Sequence, residues 1–131
     1  MRRITDDERR ARLGVRHHLA TASRSSDVVE VARDLVGLHA TDPATVYLAA
    51  RARTRRPGTT IVDLDAALYD DHTLVRVLGM RRTMFVVPVE LVSILKAGCT
   101  DALVPGERKR LLALLDAQGV ARDPARWLRT V

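Results

Sequence analysis

The chain has 131 residues, enough for one small domain with a core of its own. It is 47% hydrophobic and 29% charged, which excludes a disordered chain, and at 3% aromatic it is poorly equipped to stack single-stranded bases. The net charge of +6 is uneven: residues 1–56 hold 12 arginines against 7 acids, whereas residues 57–131 hold 10 basic residues against 9 acidic ones. A basic first half favours phosphate-bearing partners, because each neutralised phosphate releases counterions. A solvated, arginine-rich face is the plainer alternative.

Cys99 is the only cysteine, so a disulfide framework and a thiolate metal cluster are excluded. The amino-terminal "MRRITDDERR" has charge but no apolar run behind it, unlike a signal peptide. No segment approaches the roughly 18 apolar residues of a membrane span. The expected location is the cytoplasm, with no membrane partner.

Thr5-Asp6-Asp7-Glu8 fits a capping box and predicts a first helix from about Asp6 to Ala22. "TASRSSD" is a polar break, after which Ser26 or Asp27 caps a second helix. Its apolar face is Val28, Val31, Leu35 and Leu38. Asp42-Pro43 reads as the cap and first residue of a third helix, "PATVYLAARARTRR". His39, Ala40 and Thr41 then fall in a tight turn between two helices. "TRRPGTT" (54–60) is a second break.

"DLDAALYDDH" reads as a short helix capped by Asp63. "TLVRVLGMRRTMFVVP" holds two β-branched runs, 73–78 and 83–87, around Gly79-Met80-Arg81-Arg82, which makes a hairpin that Pro88 ends. "VELVSILKAGCTDALV" and "GERKRLLALLDAQGV" predict two more helices. Asp123-Pro124 opens a last one, in which Trp127, Leu128 and Val131 begin an apolar face. That helix is expected to be cut short, leaving Trp127 partly exposed or buried against a neighbouring copy.

Two helices, a turn and a two-stranded hairpin follow the order of a winged helix, in which the third helix enters a groove and the hairpin is the wing. Arg51, Arg53, Arg55 and Arg56 gather at the end of the third helix, and Arg81 and Arg82 at the hairpin tip, as candidate DNA-binding residues. The same residues also suit a helix C-terminus and an exposed tip. The third helix is largely apolar through Tyr47, Leu48, Ala49 and Ala50, so it also suits a core. His17 and His18 are adjacent on a helix and His72 is isolated, so no metal site is expected. No phosphate-binding glycine motif or nucleophile elbow is present.

"DVVEVARDLVGLHATDPATVYLAARAR" and "DLDAALYDDHTLVRVLGMRRTMFVVP" together resemble the amino-terminal part of the AlkZ/YcaQ family of DNA glycosylases. The resemblance runs from about Ser25 to Leu95. It implies a much longer full chain with tandem winged helices, a β-rich carboxy-terminal domain and the unhooking of DNA interstrand crosslinks. In the family, the turn after "GL" resembles Gln-x-Gln or Gln-x-Asp and positions the attacking water. His39 and Thr41 occupy those two places here, which makes them the candidate catalytic residues. Thr41 lacks the amide or carboxylate and cannot serve as a base at neutral pH.

The expected fold is therefore α+β and mainly helical: a winged helix over residues 1–100, the first of several, with residues 101–131 a helical extension into a second, truncated unit. The expected function is the DNA-binding segment of a DNA glycosylase acting on alkylated or crosslinked purines, monofunctional when full length and inactive as 131 residues. Double-stranded DNA is the expected partner, no cofactor is implied, and surfaces left open by truncation favour self-association. The alternatives are a non-catalytic DNA-binding module or transcriptional regulator, and a protein-interaction domain that packs the apolar third helix on a partner.

Overall fold

The computed structural model describes residues 3–55 and 61–130. Helix α1 (Asp6–Arg16) starts where the capping box predicts, with Thr5 accepting the Glu8 N–H at 3.2 Å and three acidic residues in the first turn. It stops well short of Ala22. His18 adopts φ 56°, which no right-handed helix propagates, and a separate single turn follows at Thr21–Ser23.

Asp27 caps α2 (Val28–Asp34) by accepting the Val29 N–H at 2.7 Å. The helix buries Val28, Val31 and Ala32. Leu38 does not extend that face, because Val36 (φ 66°) and Gly37 (φ 150°) turn the chain and Leu38–His39 forms a short strand, β1. His39 thus lies on a strand and not in a plain interhelical turn. A Cβ on Gly37 would come within 2.7 Å of Val87 Cγ1 and 3.2 Å of the Val86 carbonyl, so only glycine lets the chain approach the sheet here.

Asp42 caps α3 (Pro43–Arg53) through the Ala44 N–H at 2.9 Å, with Pro43 at the helix start as expected. Val46 and Ala50 are buried, Tyr47 and Ala49 pack against the same core, and Leu48 points out, 68% exposed. Helix α4 (Ile61–Asp65) runs into one wider turn at Ala66–Asp70, and Leu64, Ala67 and Leu68 are buried. Asp63 lies inside α4 rather than capping it. The break predicted at 54–60 lies outside the described residues beyond Arg55.

Strands β2 (Leu74–Leu78) and β3 (Met84–Pro88) form the predicted hairpin within a residue of its expected bounds. The antiparallel sheet has the order β1-β3-β2. Leu38 lies opposite Val86, and His39 opposite Phe85, which in turn faces Val77. Alternation sends Leu38, Leu74 and Val86 into the core with Val31, Val46 and Leu64.

After a turn at Val89–Leu91, α5 (Val92–Leu95), a wider turn at Lys96–Thr100 and α6 (Asp101–Ala117) follow one another without a break. The separation expected near Pro105 is absent: this proline sits inside α6, where it removes one backbone hydrogen bond without ending the helix. None of the 17 residues of α6 is buried. Asp123 caps α7 (Pro124–Trp127), and Trp127 is 38% exposed, in line with the expected partial exposure. Among the described residues, no helix is long and apolar enough to cross a membrane, and no group of His, Cys, Asp or Glu could hold a metal ion.

Candidate nucleic-acid interface

The sheet register sets the first part of the candidate site. His39 is exposed on the edge strand β1, and its ring meets Phe85 of β3 edge-to-face, with centroids 5.6 Å apart and planes at 83°. Phe85 has room because the hairpin loop begins with glycine: a Cβ on Gly79 would come within 3.0 Å of its Cδ2. Just past β1, the Ala40 N–H donates to the Met84 carbonyl at 2.8 Å, and the Met84 N–H donates to Thr41 Oγ1 at 3.2 Å. Thr41 Oγ1 lies 3.4 Å from His39 Nε2. Both side chains are thereby held against one strand, and both remain open to solvent.

This arrangement determines the polar groups on offer. Thr41 accepts from Met84 and keeps its own hydroxyl hydrogen to donate. The Thr41 hydroxyl and His39 Nε2 can each donate to the other, so the pair offers a donor or an acceptor according to the imidazole tautomer. The family resemblance singled out His39 and Thr41 as candidates but gave no sign of Phe85 and the Met84 N–H beside them. Their part depends on the β1–β3 register, and a two-residue strand leaves no periodicity to read.

The predicted arginines differ in their partners. Arg51 is exposed and has no ion pair among the described residues. Arg53 Nη1 donates to the Ala49 carbonyl at 2.9 Å, and Arg55 Nε donates to the Arg24 carbonyl at 2.7 Å. Arg56 lies outside the described residues. At the hairpin tip, Arg81 (φ 55°) and Arg82 (φ 61°) are both in left-handed conformations. Arg81 is exposed, whereas Arg82 pairs with Glu107 of α6 at 2.6 Å.

Two further polar clusters went unpredicted. His18 Nε2 meets Asp34 at 2.8 Å and its Nδ1 meets the Ser23 carbonyl at 2.6 Å, beside an open cleft of about 660 Å³ lined also by Arg12, Val15 and Arg16. Burial pushes the imidazole down, but the Ser23 carbonyl, then Asp34 and Glu30, outweigh it, and His18 titrates above the usual histidine value. Tyr47 donates to Asp65 at 2.6 Å, joining α3 to α4; that hydrogen bond, then burial, pushes the phenol up to about 12. Arg33 and Glu90 form a further tie, from α2 to the chain after β3.

A family model described as DNA glycosylase AlkZ-like matches residues 32–131, a span that includes β1, the His39–Thr41 pair, α3 and the hairpin. The chain belongs to the AlkZ-like DNA glycosylase family. No curated relative and no solved structure matches it.

Proposed function

We propose that this chain is a winged-helix, DNA-binding segment of a glycosylase that excises cationic alkylated or crosslinked purines from duplex DNA, with His39 and Thr41 positioning the attacking water. The observation that carries this reading is the His39–Thr41 pair, fixed on β3 through Phe85 and the Met84 N–H within the family-matched span. The chemistry asks little of the protein. An N7-alkylguanine already leaves as a cation-derived neutral base, so an oriented water and stabilisation of the oxocarbenium-like sugar suffice, and neutral hydrogen-bonding groups can supply the orientation.

The winged-helix reading draws support from the order α2-β1-α3-α4-β2-β3 and the sheet order β1-β3-β2. In that order the helix before the hairpin is α4, and its acids keep it off the duplex. Residues 61–71 contain Asp63, Asp65, Asp70 and Asp71 and no basic residue, so phosphate contacts fall to the end of α3 and to the hairpin tip. Arg51, Arg53, Arg55, Arg56, Arg81 and Arg82 are the residues proposed to make them, with residues 1–100 as the binding unit and 101–131 as its extension.

A non-catalytic DNA-binding module is the second reading. It is favoured by Thr41, which stands where the resemblance implies an amide or carboxylate and whose oxygen already accepts from Met84. Single-turnover excision of N7-alkylguanine by the full-length protein separates the two. His39→Ala should slow cleavage by on the order of 10²-fold or more with little loss of duplex affinity. Unchanged cleavage removes His39 from the reaction, and no cleavage by the unmutated protein selects the second reading. Residues 1–131 alone should bind duplex DNA weakly, at roughly 10⁻⁴–10⁻⁶ M, and excise nothing, because one exposed module cannot seal the sugar from bulk water.

A further inference from the structure

Arg24 carries no sequence signal of its own, yet the fold sets it beside the arginines at the end of α3. Ser25 and Thr54 form an isolated parallel bridge. The Ser25 N–H donates to the Arg53 carbonyl at 3.1 Å, and the Arg55 N–H donates to the Ser25 carbonyl at 2.8 Å. The Arg55 Nε–H crosses back to the Arg24 carbonyl at 2.7 Å. Three guanidinium-bearing residues are thus stitched together by backbone. Among the described residues none of the three has an ion pair, whereas Arg10, Arg12, Arg33 and Arg82 each pair with a carboxylate.

Two of the three side chains are also poorly satisfied. The Nε–H groups of Arg24 and Arg53 are buried without a hydrogen-bond acceptor. A buried donor without an acceptor is costly, and groups in that state mark places where an ion or another acceptor belongs. A side-chain rotation that carries either Nε–H onto an incoming oxygen removes that cost and adds a charge-assisted bond. The planar fork of arginine suits a phosphate oxygen pair.

We infer that Arg24, Arg53 and Arg55 form one seat for a phosphate group, with Arg24 as a contact residue that the sequence reading did not include. The inference rests on the DNA-binding reading only for the source of the phosphate, a DNA backbone rather than free phosphate. Backbone contacts of this kind fix the register of a duplex without reading its sequence.

The Nε–Hε resonances of Arg24 and Arg53, followed during titration of the chain with inorganic phosphate, test the seat directly. Saturable shifts are expected at these two, with the paired Arg10 and Arg33 unmoved. No saturable shift at either overturns the seat. The salt dependence of duplex binding then identifies the source. Arg24→Gln leaves the Arg24 carbonyl and the Ser25–Thr54 bridge in place, and should lower the log–log slope by about 0.9, one phosphate contact, while Arg24→Lys largely restores it. A shift with phosphate but an unchanged slope in Arg24→Gln overturns the DNA-backbone assignment and makes the source free phosphate. Absence of duplex binding by the unmutated chain, with the phosphate shifts intact, defeats the DNA-binding reading and leaves the seat standing.

Discussion

The stretch from Val28 to Pro88 and the helices on either side of it are held by different forces. Helix α2 has only 7 residues and buries three of them, whereas α1 with 11 residues and α6 with 17 bury none. The central stretch is secured by packing around Val31, Val46, Leu64, Leu74 and Val86. Helices α1, α6 and α7 rest on local terms: the Thr5 and Asp123 caps, the Arg10–Asp7 and Arg12–Glu8 pairs, and a few ties such as Arg82–Glu107 and Thr100 to the Leu78 carbonyl. Apolar side chains at Leu13, Val15, Val104 and Leu114 stay exposed there. The difference shows where precision is available. His39, Thr41 and Phe85 sit on the packed part, where a side chain can be held to a fraction of an ångström.

Core truncation should expose this difference most strongly. Leu74 is fully buried between the sheet and the helices, so Leu74→Ala should cost about 2–5 kcal/mol. Leu114→Ala in α6, at a position 58% exposed, should stay within about 0.5 kcal/mol. Denaturant midpoints measure both, and equal losses would mean that α6 is packed as firmly as the centre.

Gly37→Ala comes next. It asks an alanine to adopt φ 150° and to place its Cβ against Val87 and the Val86 carbonyl. Strain of order 1–3 kcal/mol is expected from the backbone alone, with β1 displaced from β3. His39 and Thr41 hang on that pairing, so the variant should also broaden or shift their resonances. A stable variant with both residues unmoved would separate the site from the strand.

The smallest effect belongs to the junction between α1 and α2. His18 has its pKa raised by the Ser23 carbonyl and Asp34, so protonated His18 favours the folded state. That contribution is fully present below its unfolded pKa of about 6.5 and is lost as pH rises through the higher folded value. Stability should therefore decline modestly as pH rises above about 6.5, and Asp34→Asn should flatten the profile. A profile in the Asn variant identical to that of the parent would show that the pair does not hold α1.

Much of the architecture was legible because it rests on short-range chemistry. The Thr5, Asp27, Asp42 and Asp123 caps fixed four helix starts, and the β-branched runs fixed the hairpin within a residue. Long-range contacts were not legible. Strand β1 is two residues long and exists only because β3 lies beside it, so its sequence reads as a turn. The Ser25–Thr54 bridge joins residues far apart in the chain, and nothing near Arg24 announces its neighbours. The left-handed His18 ended α1 early, although the surrounding sequence continues a helical pattern. Pro105 had the opposite effect: it reads as a break, and the helical run from Val92 carries through it.

Amide chemical-shift mapping of this chain during titration with duplex DNA tests the central claim most directly, namely that the DNA-facing site lies on the packed stretch at the β1 turn, the end of α3 and the hairpin tip. The account predicts shifts concentrated at residues 38–41, 51–55 and 79–84, with α4, α6 and α7 unmoved. Shifts concentrated in α4 or α6, or none at DNA concentrations above the weak affinity expected here, would contradict it.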